Sequence, residues 1–223
     1  HVRLGDVFNW ELVDLNDDGF LDLTITASTI FHMDSGDPRE ILLTYQFSEN
    51  RGYELLSTEY LPSQLRHQVL EDAQIALDSN NFTLAISFYE QAAYSDELLN
   101  IGSYHLGYGN RNTDSPDEYQ RAFALFRLTI IYALLSDELG TTDTMEVFDG
   151  AYPEDAIGGE FTTLSKVFLS ELEASKSPQQ ACQQVTNVIL DQFPELDQHI
   201  GYWGFDNVSY SSETICPFFQ ADE

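Results

Sequence analysis

The sequence predicts an α+β protein in which a small antiparallel β module precedes a larger α-helical domain. Two observations support this class: apolar and polar residues alternate before Pro62, whereas apolar residues recur every three or four positions after it. Because 43% of the 223 residues are hydrophobic, the chain can bury a core. We expect the β module at residues 1–61, the helical domain at 62–200, and a tail at 201–223 that packs on the helices.

Four strands are expected in the β module. The first two, at residues 10–15 and 21–27, flank a turn rich in Asp and Gly. The next two, at 41–47 and 53–58, are rich in β-branched and aromatic residues and flank a short loop that contains Asn and Gly. Such runs around such a loop are typical of a β-hairpin.

The turn between the first two strands has the spacing of a calcium loop. Oxygen-bearing side chains fall at positions 1, 3, 5 and 9 of D-L-N-D-D-G-F-L-D, and Gly19 falls at position 6, where the chain must turn sharply. Ca2+ prefers about six to eight oxygen ligands. The predicted ligands are the side chains of Asp14, Asn16, Asp18 and Asp22 and the carbonyl oxygen of Phe20. Asp17 should point outward, and a turn without metal is the alternative.

The stretch W-E-L-V-D-L-N-D-D-G-F-L-D-L-T-I resembles the FG-GAP and VCBS-type calcium repeats of β-propeller blades. In those families one strand leads into the loop and a second leads out. The resemblance covers about residues 5–60 and implies ligation by the same four side chains. The loop is not an EF-hand, because its position 12 is Ile25 rather than Glu. The sequence differs from those families in copy number, since a propeller has several blades and this sequence has one.

Apolar spacing after Pro62 predicts a series of helices. The expected segments are about 65–77, 82–93, 119–135, 144–148, 164–172 and 178–189. Residues 119–135 are apolar nearly all round, so this helix should be central and buried. The last helix has a clear start, because Ser177 can cap it and Pro178 suits its first position.

Residues 81–94, N-F-T-L-A-I-S-F-Y-E-Q-A-A-Y, look like the second helix of a tetratricopeptide repeat. The resemblance covers about residues 63–195 and implies stacked helix pairs with a concave surface for protein partners. The consensus Trp-Leu-Gly-Tyr pattern is missing, and residues 102–116 break the period. An irregular helical bundle is therefore the alternative.

The charge of the chain argues against some classes of partner, and its two cysteines raise the question of a disulfide. The 38 acidic residues against 9 Lys and Arg give a net charge of −29, which repels nucleic acids and anionic membrane surfaces. No apolar segment is long enough to span a bilayer. Cys182 and Cys216 are either free thiols or a disulfide, and the acidic, calcium-loop context favours a disulfide that ties the tail to a helix.

The sequence shows none of the common catalytic motifs, such as G-x-S-x-G, H-E-x-x-H or a P-loop. We therefore expect a non-catalytic, extracytoplasmic module that binds an unidentified protein partner and holds a structural Ca2+. The alternative is a catalytic or accessory fragment of an extracellular hydrolase that acts on polysaccharide. Because the chain begins with His1, we interpret it as part of a longer precursor that is secreted or anchored at the cell surface.

Overall fold

The computed structural model describes residues 4–29, 39–99, 116–200 and 210–217. The described residues up to Ser63 form one compact unit, and those from Gln64 onward form another. The first unit is a four-stranded antiparallel sheet and the second is helical, so the predicted α+β class is confirmed. The division after Ser63 lies close to the boundary expected at residue 61.

The sheet has the strand order β1-β2-β3-β4, and each strand is antiparallel to its neighbour. The strands are β1 Leu4–Val13, β2 Asp22–Thr29, β3 Glu40–Ser48 and β4 Gly52–Tyr60. The structure therefore contains the predicted hairpin of β3 and β4. It also begins β1 six residues earlier than the expected position 10, because register shifts on both sides of Val7 interrupt the alternation on which that prediction relied.

One face of this sheet is apolar and the other is polar. Residues directly opposite each other share a face, so the register defines three rows that cross all four strands. We call the apolar face the set Val7, Trp10, Leu12, Leu23, Ile25, Ala27, Ile41, Leu43, Tyr45, Phe47, Tyr53, Leu55, Thr58 and Tyr60. Only Ala27, Ile41 and Leu43, in its middle, are fully buried.

Seven helices lie among the described residues of the second unit. They are α1 Arg66–Asp78, α2 Phe82–Tyr94, α3 Pro116–Leu134, α4 Glu138–Ala151, α5 Gly159–Ser175, α6 Pro178–Gln192 and α7 Leu196–Ile200. Helix α3 is buried without interruption from Ala122 to Ile131 and packs against α1, α2, α4, α5 and α7. The expectation of a central buried helix is therefore confirmed. None of the helices in the described ranges is long and apolar enough to cross a membrane.

Helix pairs α1/α2, α3/α4 and α5/α6 pack together, as the tetratricopeptide resemblance implies. The same contacts would occur in an irregular bundle, so that resemblance stays a prediction. Helix α4 is longer than the expected segment at 144–148. Its first turns are mainly polar and exposed, so they carry no apolar spacing from which a helix could be predicted. Its start is set by Asp137, whose side chain accepts a hydrogen bond from Gly140 N at 3.0 Å.

The start of α6 follows the sequence prediction. Ser177 Oγ accepts a hydrogen bond from Gln180 N at 3.3 Å, and Pro178 occupies the first helical position. This cap satisfies one of the N–H groups that a helix start leaves without a partner. Farther along α6, the side chains of Cys182 and Val185 are fully buried in the core.

Residues 210–217 of the tail pack on the helices. Cys216 is bonded to Cys182 of α6, with their Cα atoms 5.4 Å apart. Ile215 is fully buried, and the ring of Tyr210 meets that of Phe123 edge-on at 4.6 Å. The other tail aromatics expected to pack here lie outside the described residues, namely Tyr202, Trp203, Phe205, Phe218 and Phe219.

We expect replacement of both cysteines by serine to lower the free energy of unfolding by roughly 3–4 kcal/mol, because the bond closes a loop of 34 residues in the unfolded chain. Urea unfolding of the oxidised protein and of the variant measures this difference. Reduced wild-type protein is the control and should match the variant. Equal unfolding midpoints for oxidised and reduced protein would contradict the prediction.

Candidate metal site

The loop between β1 and β2 folds around the carboxylate of Asp14. Asp14 Oδ1 accepts a hydrogen bond from Asp18 N at 3.1 Å, and Oδ2 accepts one from Gly19 N at 2.9 Å. Gly19 has a φ of 89°, in the left-handed region that glycine adopts without strain. The first predicted ligand therefore organises the turn, and the glycine at position 6 permits it.

Two further predicted ligands lie against each other in the same loop. Asn16 Nδ2 donates to Asp18 Oδ2 at 2.8 Å, and Asn16 Oδ1 accepts from Asp18 N at 3.2 Å. Asp18 Oδ1 accepts from Phe20 N at 2.9 Å. Asp17 is exposed and has a φ of 59°. The structure thus gathers the side chains of Asp14, Asn16 and Asp18 within one turn.

Asp22 is placed differently from these three. Its side chain is buried at the start of β2, where Oδ2 accepts from Leu15 N at 3.2 Å and Oδ1 accepts from Phe47 N at 2.8 Å. These bonds join both ends of the loop and fasten it to β3. Each carboxylate oxygen has two lone pairs, so these two bonds leave acceptor capacity on Asp22.

The loop is also attached to the hairpin of β3 and β4 through aromatic residues that the sequence reasoning missed. The ring of Phe20 lies 5.6 Å from that of Phe47, which in turn lies 5.2 Å from that of Tyr53. The Tyr53 hydroxyl donates to the carbonyl oxygen of Leu21 at 3.0 Å. Because Phe47 and Tyr53 belong to the apolar face, the position of the loop is coupled to one end of that face.

The donor set fits a hard cation in its chemistry but only in part in its geometry. Carboxylate and amide oxygens are the ligands that Ca2+ prefers. Within the described ranges, however, no three Asp, Glu, His or Cys side chains form a group that could hold a metal ion. Asp14, Asn16 and Asp18 would therefore supply the side-chain oxygens. Asp22, carbonyl oxygens such as that of Phe20, and water would have to complete the coordination.

The edges of the apolar face are the second feature of this unit. Trp10 on β1 is 63% exposed, and Leu12, Leu55 and Tyr60 on the two outer strands are about half exposed. Trp10 and Leu12 lie on one edge of the sheet, and Leu55 and Tyr60 lie on the opposite edge. Single exposed apolar residues are ordinary, but neighbouring ones on one face, such as Trp10 and Leu12, are typical of an interaction surface. The alternation W-E-L in β1 is the sequence signal that could have revealed this surface.

The helical unit contains a buried charge cluster that positions helices. Arg66 Nε donates to Asp117 Oδ1 at 2.6 Å, and Arg121 Nε donates to Asp117 Oδ2 at 2.8 Å. Arg66 also donates to the carbonyl oxygens of Ala92 and Ser95 at the end of α2. The cluster therefore joins α1, α2 and α3, and its closed geometry indicates a structural role.

The same cluster shifts the pKa of Asp117. Burial raises this pKa, but the hydrogen bonds and charges of Arg121 and Arg66 outweigh burial and hold it below its ordinary value. Burial also lowers the pKa of Arg66, against the raising effect of Asp117. An arginine nevertheless keeps its charge at any physiological pH.

No protein-family model, curated protein sequence or solved structure matches this chain. The resemblances to calcium repeats and to tetratricopeptide repeats therefore rest on their own residues alone.

We expect Asp117→Asn to lower the free energy of unfolding at pH 7 by about 3–5 kcal/mol, because it leaves the fully buried Arg66 without its counter-charge. A carboxylate with a lowered folded-state pKa stabilises the fold above its unfolded pKa of about 3.8, and this stabilisation is lost as the pH falls through the folded value. The difference between wild type and variant should therefore shrink below about pH 4.

Urea unfolding at pH 7, 5 and 3.5 measures this difference. Asp96→Asn is the matched control, because Asp96 also pairs with Arg121 but its side chain is almost fully exposed. A difference that stays constant between pH 7 and 3.5 would contradict the assignment.

Proposed function

We propose that this chain is an extracytoplasmic, non-catalytic module that binds a protein partner and holds one structural Ca2+ in the loop of residues 14–22. The single observation that carries the proposal is the wrapping of this loop around Asp14, with Asn16 and Asp18 turned toward the same turn. The apolar face supports a binding role for the same unit.

The energetics of the loop support a structural role for the ion. Asp14 and Asp18 are two carboxylates in one short turn, and their like charges repel each other in the absence of a cation. Hydrogen bonds from backbone N–H groups offset part of this repulsion. A divalent ion would offset the rest, so the loop and the hairpin attached through Phe20 and Phe47 should be most stable with Ca2+ bound.

One observation and one expectation support a location outside the cytoplasm. The disulfide between Cys182 and Cys216 is of a kind that persists in oxidising compartments. Extracellular calcium modules also bind their ion weakly, with dissociation constants of about 0.1–1 mM. The predicted ligand side chains, three carboxylates and one amide on an exposed loop, would suit binding in that range.

The apolar face supports the choice of a protein as partner. Its exposed members include Trp10, Tyr53 and Tyr60, and Trp and Tyr are frequent anchors at the centres of protein interfaces. The net charge of −29 opposes nucleic acids and anionic lipids. Because Phe47 and Tyr53 join this face to the loop, the ion would order one end of the binding surface.

We expect Ca2+ to raise the thermal midpoint of the protein. At about 100 times the dissociation constant, a ligand that binds only the folded state adds roughly 2.7 kcal/mol to the free energy of unfolding. Melting curves in Ca2+ and in EDTA, followed by circular dichroism, measure the change. Asp14→Asn should abolish the calcium effect, whereas Asp17→Asn, an equal loss of charge at a side chain expected to point outward, should preserve it. The same midpoint in Ca2+ and in EDTA would contradict the proposal.

We expect the partner to contact the apolar face. A photo-crosslinking amino acid at position 12 on this face should capture one protein from the secreted fraction of the source organism. The same group at Glu11, the adjacent residue on the opposite face, should not. Equal capture from both positions would contradict a face-specific interface. Retention on a polysaccharide column, lost in Trp10→Ala, would favour the polysaccharide alternative instead.

A further inference from the structure

The second half of the loop between β1 and β2 is fastened to the hairpin of β3 and β4. Asp22 Oδ1 accepts a hydrogen bond from Phe47 N at 2.8 Å, and the Tyr53 hydroxyl donates to the carbonyl oxygen of Leu21 at 3.0 Å. The rings of Phe20 and Phe47 have their centroids 5.6 Å apart. A movement of this half of the loop therefore breaks contacts with the hairpin.

The hairpin residues in these contacts belong to the apolar face. Phe47 and Tyr53 are opposite each other across β3 and β4, and their ring centroids are 5.2 Å apart. The pair follows the row of Tyr45 and Leu55 toward the loop. Tyr53 is 45% exposed and Leu55 is 52% exposed, so side chains at this end of the face are accessible to a partner.

The first half of the loop carries the charge that an ion neutralises. Without an ion, the like charges of Asp14 and Asp18 favour an open turn, whereas a divalent cation favours the closed one. A ligand shifts a conformational equilibrium only through its different affinity for the two states. An ion that prefers the closed turn therefore also favours the contacts that Leu21 and Asp22 make with the hairpin when the loop is closed.

We propose that Ca2+ regulates the apolar face: the ion closes the loop, and the closed loop fixes Phe47 and Tyr53 in the arrangement that the partner binds. This inference rests on the calcium site of the proposed function and adds regulation to it. Tyr53 is a positioning residue, because it acts on the loop through Leu21 and is not a predicted ligand. By linkage, a partner at this end of the face raises the affinity for Ca2+ by the same factor as Ca2+ raises the affinity for the partner.

Calcium titration of the full chain tests the role of Tyr53. Tyr53→Phe removes only the hydroxyl and should weaken Ca2+ binding about twofold to fivefold, the contribution of one partly exposed hydrogen bond. Phe20→Ala keeps the carbonyl oxygen that is a predicted ligand, and it should weaken binding as well. Tyr60→Phe is the matched control, because it makes the same change on the same face at the other end of β4, and it should leave the dissociation constant unchanged. Equal constants for wild type and Tyr53→Phe would overturn the inference.

Hydrogen exchange of backbone amides, measured by NMR in Ca2+ and in EDTA, tests whether the ion acts on one end of the face. At about 100 times the dissociation constant, Ca2+ should slow exchange of the Phe47 N–H, which is bonded to Asp22, by more than about tenfold. The Leu61 N–H donates to the carbonyl oxygen of Glu40 at 2.9 Å, at the far end of the hairpin, and should change much less. Equal slowing at both amides would mean general stabilisation of the sheet and would contradict regulation of the face.

These two measurements separate the regulatory role from the calcium site itself. If the wild-type chain binds no Ca2+ in the titration, the proposed function and this inference fail together. If Ca2+ binds but neither the Tyr53→Phe constant nor the Phe47 exchange rate responds, the calcium site stands and its regulation of the apolar face fails.

Discussion

The need to cover α3 on every side governs the architecture of the helical unit. Its residues from Ala122 to Ile131 are all buried, so no face of this helix is left for solvent over almost three turns. An apolar helix of this kind is stable in water only inside a layer of other helices. Helices α1, α2, α4, α5 and α7 supply that layer, and residues 210–217 add to it through Tyr210.

The core around α3 also contains several of the few basic residues of the protein. The chain has only 9 Lys and Arg. Two of them, Arg66 on α1 and Arg127 on α3, have fully buried side chains. Arg121 is mostly buried as well, in the pair with Asp117. The interior therefore removes positive charge from a surface that has little of it. Divalent cations and basic or apolar protein surfaces are the partners that such a surface tolerates.

Local patterns in the sequence were sufficient to predict much of this fold. The hairpin of β3 and β4, the buried central helix and the cap at Ser177 each depend on residues close together in the chain, and all three are present. The early start of β1 was missed because a bulge breaks the period of two, and the start of α4 was missed because that segment is polar.

Contacts between distant residues could not be predicted in the same way. Asp22 bonds to Phe47 N, and Asp117 bonds to Arg66, which is 51 positions away. With 38 acidic residues, no local pattern selects the one carboxylate that a buried arginine will meet. The candidate ligands of the loop lie close together in the sequence, so the sequence could propose them. Whether an ion occupies the loop depends on oxygen positions that spacing alone does not fix, and the calcium site stays a prediction.

The irregular register of the outer strands has a consequence for self-association. Shifts in pairing occur beside Val7 in β1 and between Thr44 and Tyr45 where β3 meets β4. An outer strand that is straight and apolar offers its unpaired backbone groups to any passing strand, and such contacts lead to aggregates. A bulge twists the strand and spoils that template, while Glu11, Glu54 and Glu59 repel a second copy of the same edge. The two edges of the sheet are therefore poor templates for strand addition, even though the outer strands expose aromatic side chains such as Trp10 and Tyr60.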